Sequence, residues 1–90
     1  MKRTIITVIG KDTVGIIAKV CTYLADHQVN ILDISQTIIQ GFFNMMMIVD
    51  ANNANISFDE MAHELKDLGN EIGVKIKMQH EDIFNSMHRI

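Results

Sequence analysis

The sequence contains no proline and only five glycines, so no stretch of it has the composition of a flexible linker. Its 90 residues are also fewer than most two-domain chains have. Because 48% of the residues are hydrophobic, the chain can bury one core without a disulfide or a structural metal. We therefore expect a single domain over residues 1–79, with residues 80–90 forming a C-terminal helical extension of it.

Cysteine and long apolar runs are nearly absent. Cys21 is the only cysteine, so an internal disulfide is excluded, and it lies on the apolar face of a helical pattern. We interpret it as a small buried hydrophobe rather than a nucleophile. No apolar stretch approaches the roughly 18 residues of a membrane-spanning helix, and no signal segment opens the chain. These absences predict a cytoplasmic protein with no membrane partner.

Positive charge is scarce. Eight Lys and Arg residues are outnumbered by eleven Asp and Glu residues, which gives a net charge of -3, and the basic residues are scattered. Only 6% of the residues are aromatic, and the adjacent Phe42 and Phe43 point to opposite faces of a strand, which prevents both from stacking bases on one surface. The sequence therefore argues against nucleic acid as a direct partner.

Groups for catalysis or metal binding are not placed together. The loop after the first predicted strand contains Lys11 but no arginine, and a ferredoxin-like hydrolase of acyl phosphates would need an arginine there. No nucleophile has a base within plausible reach. The histidines lack the spacing of metal ligands. We expect no catalytic residues, no metal site and no cofactor. The histidines concerned are His27, His63, His80 and His88.

Hydrophobic periodicity predicts six elements. Residues 4–9 are all β-branched, which is typical of a buried central strand that ends at Gly10, and apolar residues then recur at helical spacing over 14–27. Residues 30–39 have a polar centre that suits an edge strand, and Gln40-Gly41 turns the chain into a strand over 42–49. Ser57 and Glu60 form a capping box for a second helix, whose frayed end we place at Gly69 and Gly73. Residues 74–79 alternate as a half-exposed strand.

The element order β-α-β-β-α-β predicts the ferredoxin-like sandwich, an α+β fold. Right-handed crossovers give a four-stranded antiparallel sheet with both main helices on one face, and the first and third strands at its centre. The other face is apolar for a surface that neither helix covers, since it carries Phe42, Met46, Ile48 and either Ile6 or Ile9. We expect the C-terminal helix, a second subunit or both to cover it, and we favour a homodimer to which the C-terminal helix contributes.

The loop from Gly10 to Gly15 is the candidate binding site. A strand that turns into a helix near Gly15 leaves free backbone N–H groups at the positive end of the helix dipole, which suits a carboxylate. Asp12 can hold an ammonium beside it, so the pair could grip both charges of a free amino acid. Each residue also has a structural explanation, because Asp12 or Thr13 can cap the helix and Gly10 suits any strand-to-helix turn.

The residues of this loop, with Val29-Asn30-Ile31 after the helix, resemble the ACT domain, a regulatory module that commonly binds amino acids. The length and helical tail are similar to small stand-alone ACT proteins and to one half of the glycine cleavage system transcriptional repressor. Many members have proline where this chain has Val14. The resemblance implies ligand contacts between the first loop and the start of the second strand, often at a dimer interface. The implied residues are Gly10, Asp12, Val14, Gly15, Ile16, Asn30 and Ile31.

The sequence thus predicts a non-enzymatic regulatory protein that binds a small-molecule amino acid as a homodimer, with a regulated protein as a further partner. The alternative is a dimerisation or protein–protein interaction module that acts as a regulatory subunit without a ligand. For Asn30, a turn role in which its side chain bonds the local backbone also stays open.

Overall fold

The computed structural model describes residues 3–11 and 15–81. The loop residues Asp12, Thr13 and Val14 lie outside these ranges, and so do residues 82–90 of the C-terminal helix expected over 80–90. The expected start of that helix is wrong, because His80 is the last residue of a strand. The described residues contain the six elements in the predicted order. They are β1 (Arg3–Lys11), α1 (Ile16–Asp26), β2 (Asn30–Ile39), β3 (Phe42–Asp50), α2 (Phe58–Ile72) and β4 (Val74–His80).

The four strands form one antiparallel sheet in the order β2-β3-β1-β4. This arrangement confirms the ferredoxin-like prediction, with β1 and β3 central and β2 and β4 at the edges. Gln40 and Gly41 connect β2 to β3 with φ angles of 52° and 82°. Two consecutive left-handed residues are the signature of a type I′ hairpin turn, whose twist matches that of the strands it joins.

Both helices cover the same face of the sheet, and the core lies between the two layers. Met45 and Met47 of β3 are fully buried in it, while Met46 is half-buried on the opposite face, as the two-residue period of a strand predicts. We call this second face the open face because neither α1 nor α2 covers it, although Ile5 on it is buried. Of the two isoleucines left open by the sequence, Ile6 enters the core and Ile9 lies on the open face, 51% exposed.

Helix α2 begins as its sequence predicts. The Glu60 N–H donates to Ser57 Oγ at 3.2 Å, and the Ser57 hydroxyl donates to Glu60 Oε1 at 3.1 Å. The Glu60 carboxylate therefore contacts the capping side chain. Within the described ranges the helices have 11 and 15 residues, and neither is long and apolar enough to cross a membrane.

The roles predicted for Gly10 and Gly69 are wrong, because both glycines lie close to Val74 in the fold. Gly10 does not end β1, which continues to Lys11, and a Cβ on Gly10 would lie 2.8 Å from Val74 Cγ1. Gly69 does not mark a frayed end but lies buried within α2, where a Cβ would come 2.7 Å from the Val74 carbonyl oxygen. Only Gly73 terminates the helix, with φ 84°.

Candidate functional site

The N-terminus of α1 is formed by Gly15, which is the N-cap residue in a left-handed conformation with φ 89°. The cap position thus belongs to neither Asp12 nor Thr13, and Gly15 has no side chain that could accept a hydrogen bond. The first turn of α1 contains no acidic residue either. By contrast, α2 has a Ser57 cap and acidic residues at Asp59 and Glu60 in its first turn. The start of α1 therefore presents backbone N–H groups without a neighbouring carboxylate in that turn.

The side chain of Ile16 does not face this helix end as a ligand contact would. It is 2% exposed and packs in the core between helices and sheet, so only its backbone remains available for the role implied by the resemblance. Its burial fixes the first turn of α1 against the sheet. Gly10, two residues before the gap in the described chain, is paired with Phe43 on one side and Val74 on the other.

Asn30 and Ile31 lie at the other end of the sheet. Asn30 is exposed and pairs with Asp50, whereas Gly10 pairs with Phe43, so the two positions are seven residue steps apart along β3. At about 3.3 Å per strand residue this separation is about 23 Å. Ile31 pairs with Val49 and packs partly against the core. Within one chain, Asn30 and Ile31 therefore lie at the opposite end of the sheet from Gly10, and the structure does not bring them together with it.

A polar cluster that no sequence motif predicted joins α1 to α2. The Tyr23 hydroxyl donates to Glu64 Oε1 at 2.7 Å, and His27 Nε2 lies 3.6 Å from the same oxygen. His27 Nδ1 lies 2.9 Å from the Tyr23 carbonyl oxygen, and the two rings are 4.2 Å apart. The spacing of Tyr23 and His27 on one helix is visible in the sequence. Their meeting with Glu64, 41 residues away from Tyr23, depends on tertiary packing.

This cluster raises the pKa of Tyr23 well above its usual value near 10. Burial contributes most, followed by the hydrogen bond to Glu64 and the negative charges of Glu64 and Glu60. Because the neutral phenol is favoured in the folded state, its contribution to stability is present below pH 10 and is lost as the pH rises through the folded-state value.

We expect Glu64→Gln to lower the pKa of Tyr23 toward its usual value, since the substitution removes the carboxylate charge. Tyr23 is the only tyrosine and the chain has no tryptophan, so the ultraviolet absorbance of tyrosinate follows this one group in an alkaline titration. Glu71→Gln, on an exposed position of the same helix, is the matched control and should titrate like the unsubstituted protein. Equal midpoints for all three proteins would contradict the role of Glu64.

Within the described ranges, no group of three or more histidine, cysteine, aspartate or glutamate side chains is placed to hold a metal ion. Cys21 is partly buried and packs against the core. Of the sites that the sequence predicts, the described residues include the helix end at Gly15, whose backbone N–H groups suit an anion.

Comparisons with known proteins agree with this architecture. The family model described as "ACT domain" matches residues 2–79. A UPF0237 protein of Bifidobacterium longum is 64% identical over 90 residues, which is the full length of both chains. A solved ACT domain protein from Streptococcus pneumoniae is 38% identical, with a TM-score of 0.81 over 97% of this chain and 98% of that one.

A structure described as a glycine cleavage system transcriptional repressor has a TM-score of 0.74, covering 88% of this chain and 45% of that one. At 21% identity it shows the shared fold alone. The sequence-based resemblance is confirmed by these matches. Because the family model spans nearly the whole chain and the fold agrees with it, this protein belongs to the ACT domain family.

Proposed function

We propose that this protein is a regulatory module that binds a free amino acid as a homodimer and catalyses no reaction. The family relationship supports this proposal, because ACT domains are commonly regulatory and bind amino acids. The ligand lies between the loop after β1 of one protomer and the start of β2 of the other. The observation that carries the proposal is the separation of about 23 Å between Gly10 and Asn30 in one chain, estimated from strand geometry.

The first half of the proposed site binds the carboxylate of the ligand. Backbone N–H groups at Gly15 and Ile16 lie at the positive end of α1, and the cap and first turn contribute no side-chain acceptor that would compete with an anion. Asp12, which precedes this helix end in the sequence, holds the ammonium group. Val14 lies in the same loop and contributes to the wall of the site.

The second half comes from the partner, because antiparallel pairing of β2 with β2 of a second copy places opposite ends of the two sheets side by side. Asn30 and Ile31 of the partner subunit then approach the first loop. Lysines on an edge strand normally prevent such pairing with another chain. Strand β4 carries two, Lys75 and Lys77, whereas Asp33 is the only charged residue of β2.

The exposure of β2 supports the same interface. Every residue from position 32 to 39 is exposed, although side chains alternate between the two faces of the strand. Four of them are large and apolar, with exposed fractions from 41% to 64%. These residues are Leu32, Ile34, Ile38 and Ile39. An apolar strand exposed on both faces is expected to pair with another chain.

A thermal-shift screen against the common amino acids tests the proposal. A ligand at about 100 times its dissociation constant adds roughly 2.7 kcal/mol, which corresponds to a shift of roughly 10–20 °C for a domain of this size. Asp12→Ala and Asn30→Ala should each remove most of that shift. Asp67→Ala, an exposed acid on α2, is the control and should retain it.

Mixed dimers separate a site shared between protomers from a site within one chain. When Asp12→Ala and Asn30→Ala proteins are mixed in equal amounts, a shared site predicts that each mixed dimer regains one of its two sites. Because random exchange makes half of the dimers mixed, ligand binding by the whole mixture returns at about a quarter of the normal stoichiometry. A site contained in one chain predicts no recovery. Calorimetric titration of the mixture measures this stoichiometry.

A response to none of the amino acids would instead support a module that acts through protein contacts alone. One observation favours that second candidate function. Ile9, Ile39 and Phe42 form an apolar patch where the open face meets the hairpin turn, and each is more than half exposed. A docked regulated protein would cover this patch, since a contiguous exposed apolar surface commonly marks a protein contact.

A further inference from the structure

A cavity of about 140 Å³ lies at the end of the sheet where β1 begins and β4 ends. The segment that follows β3 and the first turn of α2 enclose it. This end of the sheet is opposite to the loop after β1, so the cavity is distinct from the helix end at Gly15. Its lining comprises Thr4, Ala51, Asn52, Ala54, Ile56, Phe58, Met61 and His80.

The lining is mostly apolar and contains no lysine, arginine, aspartate or glutamate. Such a surface disfavours a zwitterion, because it offers no counter-charge for either an ammonium or a carboxylate. A neutral guest with an apolar body is favoured instead. A cavity of about 150 Å³ in another protein accepts benzene, so a guest of similar size fits here.

His80 supplies a ring nitrogen that has no hydrogen-bond partner among the described residues. This atom, Nδ1, is shielded from water. The ring stacks on Phe58, with the centroids 4.0 Å apart and an angle of 21° between the planes. A buried polar atom without a partner is uncommon in folded proteins, and a guest in the adjacent cavity could supply that partner.

We propose that this cavity is a binding site for a compact, uncharged aromatic molecule that carries one O–H or N–H group. The apolar body packs against Ile56, Phe58 and Met61. The imidazole of His80 turns about its Cβ–Cγ bond so that Nδ1 accepts the hydrogen bond from the guest. The cavity lies at the same end of the sheet as Asn30, but its lining includes no residue of the proposed amino-acid site, and the proposal does not depend on that site.

Phenol and toluene are matched probes, because they have nearly the same shape and only phenol donates a hydrogen bond. Two-dimensional NMR titration of the full chain gives both dissociation constants and locates the perturbed backbone amides. Phenol should perturb the cavity residues selectively. The ratio of phenol to toluene affinity should fall roughly three- to tenfold in His80→Phe, which keeps the aromatic stack but lacks the acceptor.

Ala54→Leu provides a second test, because it fills the cavity without changing His80. It should abolish binding of both probes while the protein stays folded, as judged from its dispersed spectrum. The proposal is overturned if neither probe binds at millimolar concentration, if the perturbed amides lie elsewhere, or if the affinity ratio is the same with and without His80. It is also overturned if a crystal soaked in phenol retains only ordered water bonded to Nδ1.

Discussion

Replacing Gly69 with alanine is expected to destabilise the protein by about 2 kcal/mol, even though alanine is the better helix former. Gly69 lies in α2 where the helix crosses the start of β4, and an added Cβ would be 2.7 Å from the Val74 carbonyl oxygen and 3.1 Å from Ile76 Cγ1. The carbonyl belongs to backbone and cannot rotate away. The overpacking cost therefore exceeds the gain of about 1 kcal/mol in helix propensity.

Thermal unfolding measures this effect, and a loss of about 2 kcal/mol corresponds to a decrease in Tm of roughly 8–16 °C for a domain of this size. Glu71→Ala is the control, because residue 71 is exposed on the same helix and its substitution should change stability by less than about 0.5 kcal/mol. An unchanged or higher Tm for Gly69→Ala would show that helix and strand can separate at little cost.

Lysine in place of Ser35 is expected to convert the proposed dimer into a monomer of 10.2 kDa. Ser35 lies at the centre of the ten-residue strand β2 and is exposed, so in a two-fold antiparallel pairing the residues at this position of both copies lie near the axis. Two lysines placed there repel each other, as like charges across paired strands do. Light scattering coupled to size-exclusion chromatography measures the mass.

The amino-acid response should disappear with the dimer, because Asn30 of the partner subunit would no longer reach the loop after β1. Ser35→Thr is the matched control, since threonine suits a strand and adds no charge. It should remain a dimer and keep the ligand response. A Ser35→Lys protein that stayed dimeric would place the interface elsewhere, and a monomer that still bound the amino acid would locate the whole site in one chain.

Much of the fold could be predicted from the sequence because local signals agreed with the global arrangement. The β-branched run of β1, the alternation of β4 and the Ser57 cap each specify one element, and their order leaves few topologies. The role of Gly69 could not be predicted in this way. Glycine is required at position 69 because the carbonyl oxygen of Val74 lies close to it, and this contact forms only in the folded chain.

The candidate site was predictable only in its parts. The sequence indicated that Gly15 opens a helix and that Asn30 opens a strand, and both positions agree with the structure. It did not reveal that the loop after β1 and Asn30 lie at opposite ends of the sheet, because sequence spacing alone does not determine the register of the strands. The cluster of Tyr23, His27 and Glu64 was missed for a similar reason, because its two helices contribute residues far apart in the chain.

Helix α1 has a further consequence for the proposed dimer. With 11 residues the helix is about 16 Å long. Its first turn belongs to one proposed ligand site, and its last turn is followed by Val29 and Asn30, which belong to the other site. Each α1 helix therefore connects the two ligand sites, and the two-fold axis relates the α1 helices of the two protomers. A ligand in the first site orders one end of each α1 helix, which lowers the entropic cost of binding at the second site. Occupancy should therefore rise cooperatively with amino-acid concentration.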